Sequence, residues 1–109
     1  MLLNFDSVSM GANTYVANAR VALLEELSDN KTNLCKGITA LNIDQNTAVV
    51  VTLYLGNAVL ISQTLNPREY ITFNTWVVVN KKNALSFQVD NTNIDFTIPM
   101  IIKANKVEL

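Results

Sequence analysis

Few residues in this chain could do chemistry. Glu25-Glu26 and the pair Asp90 and Asp95 are the candidate carboxylate couples, Lys81-Lys82 is the cationic doublet, and Cys35 is the single thiol. Two acids flanking a glycosidic bond can cleave it, so residue types alone allow a small glycosidase. Spacing argues against it. Neighbours on a strand face opposite sides, and Asp90 and Asp95 bracket an Asn-rich turn, so all four read as solvated surface carboxylates. The sequence contains no histidine. Without it the usual general base near neutral pH is missing, and neither a Ser-His-Asp nor a Cys-His arrangement can be assembled. Gly11, Gly37 and Gly56 stand apart, so there is no glycine-rich phosphate loop. A zinc site lacks its soft ligands, and one cysteine makes no disulfide framework. The expectation is a protein that is not an enzyme, with no catalytic residue, cofactor or metal.

The surface composition points elsewhere. Half of the 109 residues are hydrophobic, only 16% are charged, and the net charge is −1. Fifteen Asn, ten Thr, five Ser and three Gln supply 33 neutral polar residues against 17 charges. Soluble monomers usually keep apart with more charge than this. A neutral amide and hydroxyl surface suits a subunit that packs against neighbours. The missing basic surplus argues against nucleic acid, and no segment approaches the ~20 apolar residues of a membrane span. Met1 to Asp6 lacks the basic start of a signal peptide, so synthesis in a cytoplasm is expected and the sequon Asn30-Lys31-Thr32 reads as chance.

The elements that position these residues are strands. Val49, Val51, Leu53 and Leu55 form an apolar file, as do Leu85, Phe87 and Val89, Ile71 and Phe73, and Ile94, Phe96 and Ile98. That is period two, carried by β-branched and aromatic residues. Between the runs lie Asp44-Gln45-Asn46-Thr47, Gly56-Asn57, Asn66-Pro67-Arg68, Asn80-Lys81-Lys82-Asn83 and Asn91-Thr92-Asn93. Asn and Asp turn a chain by bonding their own backbone and tolerating positive φ. Turns at this spacing describe a sandwich or barrel. Pro67 marks a loop and Pro99 an edge or bulge, and Cys35 reads as a small core residue.

The first third is ambiguous. Val16 to Leu27 has helix propensity, with Val16, Leu23, Leu24 and Leu27 on one helical face, yet Val21, Leu23 and Glu25 also alternate as a strand. Residues 1–20 read as an extended arm that needs a partner to order it, and 21–109 as the sandwich domain.

From Leu23 onward the chain resembles the small β-sandwich virion proteins of tailed bacteriophages. The resemblance is carried by the turn Ser28-Asp29-Asn30-Lys31-Thr32 and the strands Gly37 to Ile43 and Val49 to Leu55. It continues through Leu65-Asn66-Pro67-Arg68-Glu69-Tyr70, Val77 to Asn83, Leu85 to Val89 and Ile94 to Ile98. It implies an all-β fold, a single antiparallel jelly-roll-like sandwich, with Val21 to Leu27 as a strand. It also implies a homotrimeric capsid decoration protein that binds the major capsid protein or other virion subunits and resides in the virion. Expected contact residues are Leu2, Leu3, Phe5, Val8 and Met10 in the arm, Trp76, and Met100, Ile101 and Ile102 near the C-terminus. The alternative is a carbohydrate- or receptor-binding module of a phage fibre or tail, built on exposed Trp76 and tyrosines.

Overall fold

Alternating side chains leave each strand with one face to bury, and two sheets packed face to face bury both. The computed structural model describes residues 6–16, 19–24, 31–90 and 97–108, and gives the backbone alone at 6–16 and 97–98. Nine strands follow in order: β1 (Asp6–Val16), β2 (Ala19–Leu24), β3 (Asn33–Asn42), β4 (Val49–Leu55), β5 (Ala58–Leu65), β6 (Tyr70–Phe73), β7 (Val77–Val79), β8 (Leu85–Asp90) and β9 (Thr97–Glu108). One sheet runs β1-β9-β3-β6, with β7 also paired to β3, and the other runs β2-β8-β4-β5.

The pairings are nested. β4 pairs with β5, β3 with β6 and β7, β2 with β8, and β1 with β9, all antiparallel. The chain is thus one long hairpin with its tip at Gly56-Asn57, rolled so that successive pairs fall in opposite sheets. That is a jelly roll. Gly56 has φ +58 and opens a two-residue turn between Leu55 and Ala58, the position a type II′ turn gives to glycine.

The apolar files meet between the sheets. Val51, Leu53, Leu65, Leu85 and Phe87 of one sheet are fully enclosed, with Ile38, Ala40 and Val79 from the facing one. Each of these side chains larger than alanine contributes about 1.5–3 kcal/mol by leaving water. In β3 the inward parity changes from Asn33 and Cys35 to Ile38, Ala40 and Asn42. Gly37, at φ +62, makes the change: an extra residue on β3 shifts its register with β9 between Lys36 and Thr39. This is a bulge built on left-handed glycine. Pro99 pairs with Thr14 of β1 but lies one residue beyond the pairing with β3, so its missing N–H breaks no bond on that side.

One expectation changes. The N-terminal arm of residues 1–20 is not free over its described part: Asp6–Val16 is an edge strand paired along β9 of the same chain. Ten of its 11 residues pair with β9, so no other chain is required to extend them. Of the two readings open after Val16, the strand that the resemblance implies over Val21 to Leu27 is the one that forms, over Ala19–Leu24. Ala19–Leu24 pairs with β8, because only a strand there closes the second sheet over Leu23, 7% exposed. The rest of that segment, 25–30, lies outside the described residues, as do the turn Asn91-Thr92-Asn93 and Ile94 and Phe96.

Candidate assembly edge and cationic groove

A sandwich, unlike a closed barrel, leaves strand edges, and each edge offers unpaired N–H and C=O groups to another chain. The edges differ in their protection. The side of β3 away from β9 is split between β6 and β7, four and three residues long. Edge strand β2 carries Arg20 and a register irregularity between Ala22 and Leu24, and β1 has one between Ser9 and Gly11. β5 is eight residues of Ala-Val-Leu-Ile-Ser-Gln-Thr-Leu, without a charge or a proline. Its bulge falls near the turn, between the partners of Leu53 and Tyr54, and leaves Ile61 to Leu65 regular. Ala58, Val59, Ser62, Gln63 and Thr64 are exposed. The uncharged stretch extends from Gln45 to Pro67. This run of 23 residues without a charge was the sequence signal for the edge, and reading by alternation passed over it.

The far end of β5 is fixed by a buried amide. Asn42 is fully enclosed at the end of β3. Its Nδ2 donates to the carbonyls of Thr47 at 2.8 Å and Leu65 at 3.2 Å, with that of Asn66 at 3.4 Å, while its Oδ1 accepts the Asp44 N–H at 3.0 Å. Its backbone closes the bundle, receiving Arg68 N–H at 2.8 Å and donating to Glu69 at 3.0 Å. Asp44 caps the turn that follows, accepting the N–H groups of Asn46 and Thr47. Those donors, that of Asn46 foremost, hold its carboxyl below the usual range.

At the hairpin tip lies a groove of about 630 Å³, lined by Arg20, Gly56, Asn57, Lys82, Asn83 and Ser86 among others. The loop after β7 forms its wall: Asn80 Oδ1 accepts the N–H groups of Lys82 and Asn83, and Gly56 N–H donates to Ala84. Arg20 crosses the outer face of the second sheet. Its Nε donates to Ser86 Oγ at 3.0 Å, a terminal nitrogen donates to the Gly56 carbonyl, and its guanidinium lies 3.8 Å from the centroid of the Tyr54 ring. Neither Arg20 nor this packing was foreseen; the sequence offered only a lone arginine in an otherwise uncharged stretch.

Of the expected contact residues, Met100 and Ile102 are corrected. Both are fully enclosed on the inner face of β9, where alternation with Ala104 turns them to the core. Ile101 is half-buried. Trp76 is exposed in the gap between β6 and β7, with Lys36 Nζ 4.9 Å from its ring centroid. Val8 pairs with Ala104 and Met10 sits at the β1 irregularity, while Leu2, Leu3 and Phe5 lie outside the described residues. Of the carboxylates, Asp90 accepts from Gln88 Nε2 at 2.8 Å, and Glu25, Glu26 and Asp95 lie outside the described residues. Lys81 and Lys82 both line the groove. Among the described residues no three of His, Cys, Asp and Glu converge as metal ligands. Cys35 is enclosed, and burial pushes its thiol up to about 11 against the opposing charge of Lys106.

No family model and no curated protein matches the chain. Among solved structures it is similar to a protein of Bacillus endospore appendages, described as a novel family of disulfide-linked pili. The TM-score is 0.52 at 10% identity, over 98% of this chain and 88% of that one. At that identity the likeness is one of fold, and the fold is an antiparallel β-sandwich.

Proposed function

We propose that this chain is a non-enzymatic structural subunit that joins copies of itself, with the edge of β5 as the joining strand. The observation that carries the reading is the exposed, uncharged edge of β5, regular from Ile61 to Leu65, against edges that are shortened at β6 and β7 and carry a cation at β2. A strand added there gains main-chain hydrogen bonds along its length, and the side chains it meets are neutral. The low charge of the whole chain supports the same reading, since little repulsion opposes assembly. The neighbour of similar fold forms disulfide-linked pili. Copies of this chain would be held without such links, because its one thiol is buried. A decoration trimer on a phage capsid and a pilus-like fibre use this chemistry differently: the first closes, the second repeats without end.

The test is sedimentation velocity with electron microscopy on the wild type and on the double variant Val59→Lys/Thr64→Lys. Both positions are exposed on the outer face of β5, so the fold should be retained within about 0.5 kcal/mol per site. Wild type should sediment as assemblies and the variant as a folded monomer. A closed trimer would favour the capsid reading and an open filament the fibre reading. Wild type that stays monomeric at high concentration, or a variant that assembles unchanged, overturns the proposal.

A further inference from the structure

Among the described residues, the groove at the hairpin tip holds a cation that is positioned and has no acidic partner. Arg20 is fixed on three sides, by Ser86, by the Gly56 carbonyl and by the Tyr54 ring, and all three partners are uncharged. Two of the five guanidinium donors are spent on those contacts, and the others remain for whatever enters. Lys82 stands on the same groove, and no carboxylate is among the described residues that line it. A fixed guanidinium loses little entropy on meeting a ligand, and its flat fork matches a carboxylate in two parallel hydrogen bonds.

The rest of the lining narrows the ligand. Asn57 and Asn83 bring amides that can donate and accept, and Ala22, Ala58 and Ala84 keep the walls low. A volume of about 630 Å³ falls within the range of small-ligand sites. Amides and a hydroxyl beside one oriented cation suit a polyhydroxylated ring bearing a single acid group. We propose that this groove binds a carboxylate-bearing sugar, such as a uronic acid unit of a polysaccharide, with the acid on the outward donors of Arg20 and ring hydroxyls on Asn57 and Asn83. The site is separate from the assembly strand's exposed middle, so a self-joining subunit could display it in many copies.

Isothermal titration calorimetry on the full chain tests this, with tri-galacturonate as the acidic probe, maltotriose as the neutral one and inorganic sulfate as the bare anion. Tri-galacturonate should bind once per chain, and more weakly as salt rises. Arg20→Gln should weaken it about tenfold to a hundredfold, the loss expected for hydrogen bonds to a charged group. Arg20→Lys should also weaken it, since the charge stays but the fork is gone. Lys82→Gln should lower the affinity and flatten the salt dependence. Circular dichroism checks the fold of each variant; if Arg20→Gln does not fold, Arg20→Lys and Lys82→Gln decide. Absence of binding by tri-galacturonate, equal binding by maltotriose, sulfate binding as tight as that of the acidic sugar, or variants that bind like the wild type would each overturn the proposal.

Discussion

Asn42→Ala removes the amide that ties the end of β3 to the loops around β5. The residue is fully enclosed, and its side chain serves the carbonyls of Thr47 and Leu65 and the N–H of Asp44 at 2.8, 3.2 and 3.0 Å. Truncation leaves those three groups short of a partner. An unsatisfied buried group costs about 1–3 kcal/mol. Thr47 and Asp44 are half-exposed and can recover part of this from water, whereas the carbonyl of Leu65 belongs to a fully enclosed residue. The net expectation is a loss of about 2–4 kcal/mol, a large share of the about 5–15 kcal/mol of a small domain. Urea unfolding followed by Trp76 fluorescence and by circular dichroism measures it. Asn42→Asp sharpens the test, because it replaces the donor with a third oxygen facing carbonyls and should be at least as damaging at neutral pH. A loss under about 1 kcal/mol for Asn42→Ala, or an Asn42→Asp variant as stable as wild type, would refute the idea that this amide holds the corner.

Three further outcomes are expected. Gly56→Ala forces a side chain into φ +58 and sets its Cβ 2.7 Å from Asn83 Oδ1, so the same titration should show about 1–2 kcal/mol of destabilisation; no change would mean that the turn tolerates a side chain. Arg68 occupies φ +67 at the third position of the turn Asn66-Pro67-Arg68-Glu69, closed by Glu69 N–H on the Asn66 carbonyl at 3.0 Å, where glycine is the usual residue. Arg68→Gly should therefore stabilise, by up to about 1 kcal/mol after the extra freedom of the unfolded chain is subtracted, and a lower urea midpoint would contradict it. Cys35 should resist thiol reagents at pH 8 until the protein unfolds. Its folded thiol titrates near 11 and the unfolded one near 9.0. Between these values the folded state binds more protons than the unfolded, so stability is full below pH 9 and falls by about 2–3 kcal/mol as pH rises through 11. Cys35→Ala should remove that part of the alkaline slope, and identical slopes would disprove it.

Alternation made the inner faces of β4, β6 and β8 legible, since a period of two has one burial solution once a second sheet exists. The Asn-rich turns were legible for a chemical reason: the side chains of Asp44 and Asn80 each close the turn that they begin. Three features were not legible. In β3 the inward parity changes at Gly37, so the strand has no single alternation to read, and β9 hides Met100 and Ile102 in a run that is apolar at 98 and from 100 to 102. The strand character of β2 comes from pairing with β8, 60 residues away, and local propensity opposes it. The Arg20 groove joins β2, the β4–β5 tip and the loop after β7, three segments with no shared pattern in sequence.

The placement of charge argues most directly for assembly. Ser62 and Thr64 are exposed on an edge strand, where lysine would be accommodated without strain and would discourage pairing. The chain does use cations at its other margins: Arg20 lies on β2, and Lys103 is exposed on β9 beside the edge strand β1. It also shortens β6 and β7 and introduces irregularities in β1 and β2. Devices that prevent edge pairing are therefore available to this sequence, and neither a charge nor an irregularity interrupts β5 from Ile61 to Leu65. A monomer under pressure to stay soluble would gain most from a charge at that position, and a subunit that must add a strand there would be disabled by one. On the proposed reading, the bare edge answers the second requirement.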